Sequence, residues 1–143
     1  MDGMVGQAAD SLLALVFRVF VAFGIGALVG LEREQSESGG SFAGSRTFPL
    51  FGLFGALVQA FFPAMLPVAL VVVAIPLTVA YGGKVLLERD VGLTTLTAAL
   101  LTVLLGALAT HSERGTALAI IVAGVVYRQI GRASCRERVY TKV

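Results

Sequence analysis

Tryptophan is absent from the 143 residues, cysteine and histidine occur once each, and only 14% of the chain is charged. Each shortage excludes something. A single cysteine, Cys135, cannot close an internal disulfide, and one histidine, His111, leaves no cysteine–histidine cluster for a metal. Without tryptophan, an interfacial aromatic belt has only phenylalanine and three tyrosines to draw on. Soluble domains carry about a quarter of their residues as charges. A deficit this deep, with 57% hydrophobic residues and a mean hydropathy of +0.88, makes lipid the expected solvent. Catalytic signatures are missing too: the chain has no nucleophile elbow, no P-loop and no HExxH pair, so an enzyme is not expected.

The small positive net charge does not indicate a nucleic-acid partner. Arg132, Arg136, Arg138 and Lys142 against Glu137 give the last stretch +3, while residues 1–130 carry seven basic and eight acidic residues, a net of −1. That basic stretch also changes polarity abruptly. Residues 130–143 resemble the translation of a sequencing adapter, and they are left out of the functional reading as a foreign tail. The natural chain is expected to continue differently there.

What is abundant is apolar sequence in five runs, at 11–31, 47–62, 66–82, 93–110 and 116–129, with the charges gathered between them. The first run has the length to cross a hydrocarbon core about 30 Å thick. The others are near the short limit, yet five in succession are too many for a soluble core of this size. The expected fold is all-α, a polytopic membrane bundle of about five short helices occupying residues 1–129. Met1 to Asp10 lacks a basic n-region, so the first run is expected to be retained rather than cleaved. Arg33, Arg46, Lys84, Arg89 and Arg128 fall on one side of this topology and only Arg114 on the other. The excess places the N-terminus outside and the loops 33–46 and 84–92 in the cytoplasm.

Helices in lipid gain little from hydrophobicity between them and rely on small residues to approach closely. Gly26 and Gly30 form a GxxxG pair on the first run, with Gly24 nearby. Gly52, Ala56 and Ala60 recur every four residues on the second. Thr95, Ala99, Thr102 and Gly106 share a face of the fourth, and Ala119 and Ala123 a face of the fifth. Helix contact is the plain reading of these faces, and a lined pathway the sharper one.

Polar residues inside or beside the runs are the candidate functional set. Arg18 is the one charge well inside a run, where it must snorkel to an interface, find a partner or serve transport or gating. Glu32, Arg33 and Glu34 close the first run and Arg46 opens the second. Because successive helical residues turn by about 100°, the two acids do not face one ligand. One of them pairing with Arg46 would clasp the two helices, and a cation or partner site is the other reading. Thr94 and Thr95 suit a helix cap or a bond to a neighbour.

Phe17 to Glu34 (FRVFVAFGIGALVGLERE), followed by Ala43-Gly44-Ser45-Arg46-Thr47-Phe48 and by Gly92-Leu93-Thr94-Thr95, resembles the N-terminal membrane domain of the MgtC/SapB family. The similarity runs from about residue 17 to 126, and the branch it most resembles carries a second membrane domain. The sequence departs from that branch at Leu96, where an acid often stands. The resemblance implies a bacterial inner-membrane protein tied to magnesium homeostasis or adaptation to low magnesium. Alternatives are a regulator binding another membrane protein, and the N-terminal half of a larger transporter. Partners would be the bilayer and a membrane protein or a second copy, with no nucleic acid. No resident cofactor is implied. The carboxylates and hydroxyls offer hard oxygen ligands to Mg²⁺, but they form no dedicated cage.

Overall fold

Within lipid, a chain must satisfy its backbone hydrogen bonds internally, and for short apolar runs the helix is the way to do so. In a computed structural model, the described residues are almost wholly helical. The structure describes residues 2–36, 45–88 and 93–140, with side chains over 4–35, 45–83 and 94–129 together with Leu86. Helix α1 is Asp2–Ser36, α2 Thr47–Phe61, α3 Leu66–Glu88, α4 Leu93–His111 and α5 Glu113–Tyr140. A 3-10 turn, Pro63–Met65, joins α2 to α3. By length and composition α1, α3 and α4 can each cross a membrane, while α2 is equally apolar but shorter.

The two short turns are read easily from their residues. Phe62 leaves helical geometry at φ −140°, its N–H still donating to Val58 O at 2.7 Å, and Pro63 starts the next turn where a missing N–H costs nothing. At the α4–α5 joint, Ser112 Oγ accepts the Gly115 N–H at 3.0 Å and its carbonyl accepts the Thr116 N–H at 2.9 Å. Ser112 is thus the N-cap of α5.

Helix α2 sits at the centre. Its largest contact is with α4, α1 packs on both, α5 covers α1 and α4, and α3 lies at the margin against α4 and α2. One core cluster joins Ala22, Ile25, Ala56, Leu105, Ala109, Ala119 and Ala123; the other joins Val29, Phe48, Leu77 and Ala99. Small residues dominate both. Large apolar side chains point outward instead, Val68, Val71, Val72 and Val79 on α3 among them, as lipid-facing residues do. Residues 4–14 of α1 are exposed, so this helix projects past the bundle.

The apolar runs fall on the helices, but helix and run differ in length. Hydropathy marks where a helix meets lipid, whereas the backbone stays helical past that limit, so α1 begins well before residue 11. Arg89, Asp90 and Gly92, and the side chains of Lys84, Glu88 and the tail from Ile130 onward, lie outside the described residues, although α5 continues through that boundary to Tyr140.

Candidate functional site

The interior seams are closed by glycine. A Cβ on Gly26 would strike Phe48 O, with Pro49 Cα at 2.7 Å; one on Gly52 would strike Ala22 O; one on Gly106 would strike Gly52 O; and one on Gly55 would strike Val103 O. Backbone therefore lies on backbone from α1 through α2 to α4. Gly30 is buried, as are Ala56, Ala99, Thr102, Ala119 and Ala123. Gly24, by contrast, faces open space. Gly55 was not among the residues singled out from sequence, because it breaks the four-residue recurrence of Gly52, Ala56 and Ala60.

The buried hydroxyls bond to backbone carbonyls. Thr102 Oγ1 donates to Ala98 O at 2.7 Å, and Thr116 Oγ1 to Ala109 O at 2.6 Å across the α4–α5 joint. Thr110 Oγ1 has Ala107 O at 3.1 Å, Ala56 O at 3.2 Å and Gly106 O at 3.3 Å within reach of its one hydrogen. That contact to Ala56 ties α4 to α2. Thr95 is fully buried on the same face, while Thr94 is exposed.

Polar side chains collect in two layers, one at each end. At the α4–α5 end, Arg18 reaches Glu113, with Nη2 to Oε1 at 3.9 Å; the Arg18 side chain is 22% exposed and that of Glu113 92%. Gln59 Nε2 lies 3.1 Å from His111 Nδ1 and donates to it when the ring hydrogen is on Nε2. Arg18 thus has a partner at an open rim, and the pair lies on the side that carries Arg114. The signal for Glu113 was present in the sequence, since the topology puts the start of α1 and the α4–α5 joint on one side.

At the opposite end Glu32 is buried, its side chain only 7% exposed, with Arg33 Nε at 3.8 Å from its Oε2. Among the described residues Oε2 has no hydrogen-bond partner. Glu34 is exposed. The expected clasp does not form: Arg46 is exposed and, among the described residues, makes no ion pair with Glu32 or Glu34. The reason lies in the register. Gly26 meets Phe48 and Pro49, so Arg46 stands roughly level with Leu28, about one turn short of Glu32. Thr47 is half-buried beside it. Among the described residues no three of His, Cys, Asp or Glu gather to hold a metal ion.

A single chain therefore presents a closely packed three-helix interior between two polar layers, with small residues placed where backbones touch. Compared with protein-family models, it matches that of the MgtC family over residues 19–133. The chain belongs to the MgtC family. The match takes in the small-residue half of α1, all of α2, α3 and α4, and most of the described part of α5. No curated protein and no solved structure matches this MgtC-family chain. Family and apolar helices together make it a membrane protein.

Proposed function

We propose that this MgtC-family protein serves magnesium homeostasis or adaptation to low magnesium in a bacterial inner membrane, and that it works by binding another membrane protein or a second copy. It is not an enzyme in this reading. All five helices cross the bilayer, the N-terminus is outside, and the loops 33–46 and 84–92 are cytoplasmic. Arg33 and Arg46 at the end opposite Arg114 support that orientation.

The observation that carries binding over conduction is the close backbone packing of the interior. A transporter needs a polar route between the two ends, and the groups available for it are Arg18, Gln59 and the threonines of α4. Arg18 and Gln59 lie together in one end layer, and Thr102 and Thr110 bond to carbonyls next to seams where glycine brings backbone onto backbone. The reading as half of a larger transporter is favoured by one feature, the open acceptor of Glu32, which a cation or a donor from further helices would fill.

The test is reconstitution of the chain in proteoliposomes holding a magnesium-sensitive dye, beside complementation of a deletion strain at low magnesium. Complementation with no flux above empty vesicles is the expected pair of results. Magnesium flux that Glu32→Gln or Arg18→Met abolishes would overturn the binding reading, and failure to complement would overturn the magnesium role.

A further inference from the structure

The two polar layers are too close together for the membrane they sit in. Along α1, Arg18 and Glu32 are separated by about 21 Å at a rise of about 1.5 Å per residue. On α5, Glu113 and Arg128 are about 22 Å apart by the same measure, and on α2 Arg46 and Gln59 about 20 Å. A hydrocarbon core is about 30 Å thick. Three helices thus agree on a shortfall of roughly 8–10 Å.

The fold shows at which end the shortfall lies. Helix α1 continues past Arg18 through the apolar stretch 11–17, and α2 continues past the level of Arg18 to Phe61 before turning into α3. The α4–α5 joint ends in this layer: Glu113 pairs with Arg18, and His111 lies against Gln59, two residues before α2 ends at Phe61. His111, Glu113 and Arg114, all exposed, are therefore set back from the level of Ser11 on α1, by about 6–9 Å on the register that Ala22, Gly52 and Gly106 define. Leaving such groups in hydrocarbon is costly, and intramembrane charges face water or partners.

We propose that phospholipid headgroups and their water dip into the α4–α5 end of the bundle, forming a wet recess floored by Arg18, His111, Glu113 and Arg114 and walled on one side by the projecting start of α1. The partner is the lipid surface itself, and the bilayer is locally thin there. Arg18 and Arg114 suit headgroup phosphate, and Glu113 and His111 suit water. This inference rests on all five helices crossing the bilayer, and not on any role in magnesium homeostasis.

Single-cysteine variants test it on the full chain with Cys135→Ser. Membrane-impermeant charged thiol reagent is applied to Glu113→Cys, Arg114→Cys, Ser11→Cys and, as a mid-span lipid-facing control, Val72→Cys. Arg114→Cys leaves the Arg18–Glu113 pair intact, so it separates access from local unfolding. The expected result is modification at 113 and 114 within about tenfold of position 11, and at 72 about a hundredfold slower. The rate at 114 should also change less than about threefold from 14-carbon to 22-carbon lipid, as headgroups follow the protein inward. Protection of both 113 and 114 to the level of 72 overturns the recess. Protection accompanied by a dimer would assign the space to a second copy and overturns it equally, as does rapid modification at 72.

Discussion

A glycine on a helix seam is constrained by the atom it faces, and that atom differs from one glycine to the next. Gly106 faces the carbonyl of Gly52, whereas Gly24 and Gly82 face open space. Gly106→Val is therefore expected to destabilise by about 1–3 kcal/mol, as overpacking does. Gly24→Ala should be neutral or slightly stabilising, since alanine is the better helix former. Thermal unfolding in detergent micelles measures both, and equal losses at the two sites would contradict the seams described. Charged residues divide similarly. Glu32 has a buried oxygen with no donor among the described residues, so Glu32→Gln should cost little. Removing Arg33 leaves a buried carboxylate without its neighbouring charge, and Arg33→Met should cost more, about 1–3 kcal/mol. A larger loss in Glu32→Gln would reverse that assignment. Arg18 and Glu113, at an open rim, should couple by no more than about 1 kcal/mol in a double-mutant cycle.

Among the elements, the α4–α5 hairpin depends most on side-chain chemistry. Ser112→Ala removes the cap on α5 and is expected to lower stability by about 1 kcal/mol. Thr116→Val, which removes the bond to Ala109 O, should cost a comparable few tenths to about 1.5 kcal/mol, in keeping with interhelical bonds in membranes. Unfolding followed by helical circular dichroism would detect both. Helix existence was legible in the sequence because an apolar run with charged ends has few alternatives in lipid. The small faces were legible from recurrence, since Thr95, Ala99, Thr102 and Gly106 stand on one side of any helix. What recurrence does not carry is pairing. Nothing in the spacing of Gly26 names Phe48 as its neighbour, and the register that follows from it separates Arg46 from Glu32. Contacts such as Gln59 with His111 join residues far apart in sequence, and only the packed α2–α4 pair brings them together.

At the scale of the whole molecule, the bundle is a packed trio of α1, α2 and α4 with α5 laid against it and α3 at its edge. The exposed first turns of α1 contribute no core residue. Deleting residues 2–10 should therefore change the stability read from thermal unfolding by no more than a neutral surface substitution does, about 0.5 kcal/mol. A steep loss would mean that the projecting segment has a role in holding the bundle. The placement of Gly52 has a wider consequence. It takes the Ala22 carbonyl on one side and presents its own carbonyl to Gly106 on the other, with no side chain between to absorb a displacement. A shift of α1 is thus handed directly to α4, and the two joints behave as one rigid body. Paired substitutions on either side of that helix, such as Gly26→Ala with Gly106→Ala, should then cost more in thermal unfolding than the sum of their separate effects, because the two wedges press on α2 from opposite sides with no slack between.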